Sequence, residues 1–133
     1  MSVAITSAVS PALSELQIRL GYAFRQPGLL QQAVTHRSFS ADHNERLEFL
    51  GDAVLELAVT NFLYKEYPES PEGELTSYRA ALVNANTMAE FANEIGMNDH
   101  LFLSCGEAKD TGKARLYILA NAIEALIGAV YLD

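Results

Sequence analysis

The sequence predicts an all-α domain, and three observations carry that reading. From Glu45 to Tyr64, apolar and acidic residues recur at helical spacing. From about Leu116 to Leu132 the chain is apolar almost throughout, as expected of a helix buried on every side. Beta-branched residues are scattered and nowhere alternate for long, which removes the signal a strand would leave.

In chain order, residues 1–12 read as a loose lead-in ending at Pro11, ahead of one domain over 13–133. Leu13, Leu16, Ile18 and Leu20 predict a short helix stopped by Gly21. Pro27 and Gly28 open a second helix through Leu29, Leu30, Ala33 and Val34. Ser40 to Asn44 form a polar break that offers N-caps for the next element. In the Glu45–Tyr64 helix, Leu47, Leu50, Val54 and Leu57 fall on one side and predict a core stripe. Glu45, Glu48, Asp52 and Glu56 gather on another. Pro68, Pro71 and Gly73 mark a loop. One helix is expected from about Glu74 to Ile95, stopped by Gly96, and a mobile loop over 104–113.

A chain of 133 residues, half of them hydrophobic, suits a single domain with a real core. Its net charge of −8 has the wrong sign for gripping a polyanion by bulk attraction, so such a partner requires bound cations or a separate basic module. The single Cys105 excludes an intrachain disulfide and favours a reducing compartment. The first twelve residues lack the basic region of a signal peptide. No apolar run approaches the roughly 20 residues of a membrane span, so the expected location is cytoplasmic, without a membrane partner.

Two segments place oxygen-bearing side chains one helical turn apart. Glu48 and Asp52 stand at i and i+4, with Glu45 a turn earlier. Like charges at that spacing repel, so they are either a solvated stripe, with Glu45 capping towards Asp42, or a cation site. Asn121 and Glu124 stand at i and i+3 in a helix with no other polar face. Asn121 is either a helix–helix hydrogen bond or a ligand; Glu124 requires a specific partner. Facing each other, the two pairs would make an oxygen-lined pocket for a hard divalent cation. A di-iron bundle would need Glu-x-x-His pairs, which neither segment supplies. His36, His43 and His100 have no partners that would form a nucleophilic triad.

The run Asn44-Glu45-Arg46-Leu47-Glu48-Phe49-Leu50-Gly51-Asp52-Ala53-Val54-Leu55 resembles the ribonuclease III signature almost letter for letter. The resemblance extends from about Gly21 to Asp133. It includes Leu30 through Thr35-His36-Arg37-Ser38, the Glu72-Gly73-Glu74-Leu75 loop with Arg79-Ala80-Ala81-Leu82-Val83, and the Ile118–Asp133 helix.

That resemblance implies a compact helical endonuclease domain that works as a homodimer on double-stranded RNA, leaving 5′-phosphate and 3′-hydroxyl ends. Glu48, Asp52, Asn121 and Glu124 match its metal-binding positions, with Asp52 and Glu124 also carried over as catalytic. Glu45 and Glu72 match supporting acidic positions nearer the RNA backbone. Phe49 matches an aromatic knob at the dimer interface. Thr35-His36-Arg37-Ser38 reads as structural support. The implied cofactor is Mg²⁺, with Mn²⁺ as a substitute. Hard oxygens suit it, and ions about 4 Å apart can activate water and relieve charge on phosphate.

Two departures from the family pattern follow. Asn121 stands where the family has an aspartate, which removes one negative charge from the pocket. It opens an alternative reading, a catalytically impaired fold acting as an RNA- or protein-binding scaffold. The double-stranded RNA-binding domain usual after this point is absent from the chain, so weak RNA binding is expected. Lys109, Lys113 and Arg115 are candidates for phosphate contact, or else an ordinary solvated loop.

Overall fold

The computed structural model describes residues 10–133, and all regular elements among them are helical. They are α1 (Pro11–Leu20), α2 (Pro27–Ala33), α3 (Glu45–Glu66), α4 (Glu72–Leu82), α5 (Ala85–Glu94), a 3-10 turn (Met97–His100), α6 (Cys105–Lys109) and α7 (Lys113–Leu132). Of the expected lead-in, residues 1–9 lie outside the described residues. Pro11 and Ala12 are already helical, because Ser10 accepts from the Leu13 N–H and proline suits the first helical position. Gly21 ends α1 with φ +79°, its N–H donating back to Gln17 and Ile18. Glycine takes that left-handed conformation without steric cost.

The core is built around α7. Ile118, Leu119, Ala120, Ala122, Ile123, Ala125, Leu126, Gly128 and Ala129 are all buried along it. α3 and α5 supply most of its packing and α2 less. Leu16, Leu30, Val34 and Met97 complete the centre, each fully buried. Burial of side chains this size contributes about 1.5–3 kcal/mol apiece. The absence of a membrane-length apolar run is corrected here. α7 has the length and composition of a span, but more than half of it is buried within the fold, as in a core helix.

Four further expectations change. The helix drawn over Glu74–Ile95 is two, broken at Val83–Asn84, because Asn84 takes extended backbone and caps α5 through the Thr87 N–H. An asparagine that can bond a backbone amide competes with helix continuation. The 104–113 loop contains α6, capped by Ser104 accepting from Glu107. The Leu47–Leu50–Val54–Leu57 stripe is not a core stripe: Leu47 is buried, but Leu57 is 71% exposed. The buried positions of α3 are Leu47, Gly51 and Leu63. Asn44 precedes α3 without capping it. Its buried side chain donates to the Ala33 carbonyl instead, and Asp42 takes no part in a capping box.

Candidate active site

Two glycines bring the acidic segments together. Gly51 on α3 and Gly128 on α7 meet at the helix crossing. A β-carbon on Gly51 would overlap the Glu124 carbonyl oxygen and lie 2.9 Å from the Gly128 nitrogen. Backbones this close set the turn carrying Glu48 and Asp52 beside the turn carrying Asn121 and Glu124. A glycine inside a helix costs about 1 kcal/mol against alanine, so two in strong helical patterns already signal a packing reason.

Between these turns lies an open groove of about 550 Å³, lined by Glu45, Glu48, Phe49, Asp52, Asn121 and Glu124. No lysine or arginine is among the lining residues. The electrostatics register that imbalance. Partial burial, then the charges of Asp52, Glu48 and Glu56, push the Glu124 carboxyl up to about 7. Burial and the neighbouring Glu45 and Asp52 raise Glu48. Among the described residues, no three His, Cys, Asp or Glu side chains converge into a closed cluster. The carboxylates therefore share a groove without forming a finished cage. Every donor is a hard oxygen, and a divalent cation is the species that would balance their charge.

The entry to α3 is fixed by a buried network. Asn44 N–H donates to the Thr35 carbonyl, Thr35 Oγ1 donates to the Gln31 carbonyl, and across the Thr35–Phe102 bridge the His36 N–H donates to the Phe102 carbonyl while the Phe102 N–H donates to the Val34 carbonyl. His36 Nδ1 accepts from the Ser38 N–H at 3.1 Å and lies 2.8 Å from Ser38 Oγ, which accepts from the Ser104 N–H. Thr35-His36-Arg37-Ser38 is thus scaffolding, apart from Arg37, which pairs with Glu45 at 3.3 Å at the groove's edge.

Glu72 is not among the groove's lining residues. It opens α4 and lines a separate cavity of about 210 Å³ with Thr60, Tyr64 and Arg79. Phe49 is 84% exposed and stands between the acidic groove and a depression floored by Leu29, Leu47, Leu50 and Leu132 and edged by Gln32, Glu45 and Arg46. Arg115, weighed for phosphate contact, is buried. Its guanidinium donates to Asn98 and to the Glu107 and Ala108 carbonyls, holding α6 against α7. The sequence names Arg79 only within the resemblance and does not reveal its partners: it pairs with Glu56 at 3.2 Å and donates to Thr60 at 2.9 Å. No local sequence signal links positions so far apart in the chain.

Residues 26–133 match the Ribonuclease-III-like family profile. The chain is 56% identical over 123 residues to Ribonuclease 3 of Delftia acidovorans, covering 92% of this chain and 54% of that one. It is 50% identical over 125 residues to Ribonuclease 3 of Nitrosococcus oceani, covering 94% and 54%. It therefore spans about half the length of these curated relatives. The nuclease domain of ribonuclease III from Campylobacter jejuni superposes with a TM-score of 0.87 at 43% identity, over 91% of this chain and 85% of that one. That structure is described for flexibility in its dimer-forming region. Dicer from Pichia stipitis matches at a TM-score of 0.61 and 34% identity, over 78% of this chain and 43% of that one.

Proposed function

The chain belongs to the ribonuclease III family, and from that premise we propose that it is the endonuclease domain of a divalent-metal-dependent enzyme that cuts double-stranded RNA to 5′-phosphate and 3′-hydroxyl ends. The observation that carries the reading is the groove in which Glu48, Asp52, Asn121 and Glu124 face one another without a counter-charge.

These four side chains would hold Mg²⁺, or Mn²⁺ in its place, through carboxylate and amide oxygens. When bound, the metal supplies a water acidified enough to attack phosphorus and positive charge against the phosphate oxygens. The chain's own residues do the rest. The Gly51–Gly128 contact holds the two ligand pairs in one groove. The raised Glu124 carboxyl reflects partial burial and unbalanced neighbouring carboxylates, the repulsion that a bound divalent cation would relieve. Glu45, exposed and paired with Arg37, lies where the RNA backbone would pass. Glu72 acts from outside the groove, at the start of α4.

Assembly is proposed as a homodimer. The exposed Phe49 ring would lodge against the leucine-floored depression beside the partner's own Phe49, a self-complementary arrangement that uses each knob once and each depression once. The dimer-forming region described for the Campylobacter nuclease domain supports this reading. The protein is proposed to act in the cytoplasm, where RNA duplexes and Mg²⁺ are both available.

Cleavage of long duplex RNA across a Mg²⁺ and a Mn²⁺ series tests the proposal, and divalent-dependent cutting is expected. A second reading rests on Asn121, whose neutral amide occupies a groove position suited to a carboxylate. On it the fold is an impaired scaffold for RNA or protein. No cleavage by this chain, with recovery in Asn121→Asp, would favour that reading.

A further inference from the structure

The acidic face of α3 does not stop at the groove. Glu48, Asp52, Glu56 and Thr60 follow one another at four-residue steps, so Glu56 sits one turn beyond Asp52 on nearly the same side. Its charge reaches Glu124 across the helix crossing. Yet Glu56 does not line the groove. Its carboxylate is turned to Arg79 of α4, with Nε to Oε2 at 3.2 Å, and both side chains are partly exposed. Arg79 also donates to Thr60 Oγ1, one turn further along α3, at 2.9 Å. Among the described residues, Glu48, Asp52 and Glu124 pair with no cation, and the ion pairs that flank them are Arg37–Glu45 and Arg79–Glu56.

We propose that the Glu56–Arg79 pair tunes the metal centre, with Arg79 a positioning residue that holds Glu56 outside the groove and offsets its charge. This rests on the reading of the groove as a divalent-cation site. The physical consequence is two-sided. Removing the Arg79 charge leaves Glu56 as an additional unbalanced carboxylate beside Asp52, free to swing towards the groove, and cation affinity rises. Removing the Glu56 charge leaves the Arg79 guanidinium unopposed near the groove, and cation affinity falls. Removing both returns the groove close to its starting potential. Because the pair is partly exposed, the effects are modest and shrink as salt rises, exposed charges being screened over about 10 Å at 0.1 M.

The test is direct binding of Mn²⁺ to the 133-residue chain, read from the loss of the free-ion paramagnetic resonance signal at low ionic strength, with circular dichroism as the check on folding. Arg79→Gln should lower the Mn²⁺ midpoint about threefold, and Glu56→Gln should raise it by a similar factor, ~0.7 kcal/mol each. The double variant should lie near the original. Arg79→Lys, which keeps the charge and loses the fork to Thr60, should also stay near it. A shift in Arg79→Lys equal to that in Arg79→Gln would overturn a charge-based role. Unmoved midpoints in Arg79→Gln and Glu56→Gln, with Glu124→Gln still weakening binding, would overturn this proposal and leave the metal centre standing. If the chain binds no Mn²⁺, or Glu124→Gln leaves binding unchanged, both fall together. Should Arg79→Gln not fold, Glu56→Gln alone decides.

Discussion

Gly51 and Gly128 pack backbone against backbone: a β-carbon on Gly128 would lie 3.1 Å from the Gly51 nitrogen and overlap the Leu47 carbonyl oxygen. No side chain can swing aside at such a contact, because both partners are main chain. Gly51→Ala should therefore destabilise the fold by about 3 kcal/mol, the upper end for overpacking, despite alanine's better helix propensity. Gly73→Ala is the control. It adds a methyl to open space within α4 and should be neutral or stabilising by up to ~1 kcal/mol. Urea unfolding compares them, and a Gly51→Ala protein as stable as the parent would contradict the close crossing.

Glu124 sets a pH dependence with a definite sign. Its folded-state carboxyl is raised from 4.5 to about 7, so the native state holds a proton that the unfolded chain releases. Below about pH 4.5 the group costs nothing. As pH climbs towards 7, stability is lost, and above 7 the loss levels off. Glu124→Gln should match the parent near pH 4.5 and exceed it near pH 8 by about 1 kcal/mol, a figure reduced for solvent screening of a half-exposed group. It should also abolish cleavage. Thermal unfolding at the two pH values measures the difference, and an equal offset at both would remove the basis for the raised carboxyl.

Asn121→Asp adds a carboxylate beside Glu48, Asp52 and Glu124 in the groove. Mn²⁺ affinity by calorimetry should rise about tenfold, equivalent to ~1.4 kcal/mol, and half-maximal cleavage should need correspondingly less Mg²⁺. Unchanged affinity would mean that position 121 does not reach the cation.

Phe49→Glu should give monomers by light scattering with helical content retained, since the ring is 84% exposed and contributes little to the monomer core. Buried aromatics dominate interfaces, so a charge at this point is expected to be decisive. Duplex cleavage should be lost with assembly. A Phe49→Glu protein that stays dimeric would put the interface elsewhere on the surface.

Glu72→Ala should reduce cleavage less than Asp52→Ala does, because Glu72 lies in the Thr60–Arg79 cavity and not among the groove's donors. Single-turnover rates at saturating Mg²⁺ separate the two. Equal losses would bring Glu72 into the first line of the chemistry.

The helical class and the register of the acidic residues are legible in the chain alone. Periodicity is a local property: Glu48 and Asp52 share a helix face whatever packs around them, and so do Asn121 and Glu124. Which faces are covered depends on how the helices pack. The leucine pattern on α3 predicted a core stripe through Leu57, but α7 crosses at Gly51, so Leu47 and Gly51 are buried and Leu57 is not. Arg115 was read as a loop cation and is a buried tie, because its partners Asn98, Glu107 and Ala108 come from other elements. The break at Asn84 turned on one side chain choosing an amide three residues ahead over continued helix. Above all, the pairing of the two acidic turns depends on a backbone contact between residues 77 positions apart, Gly51 and Gly128. Helical spacing orders residues within a segment, whereas the distance between two segments is set by how closely their backbones can approach.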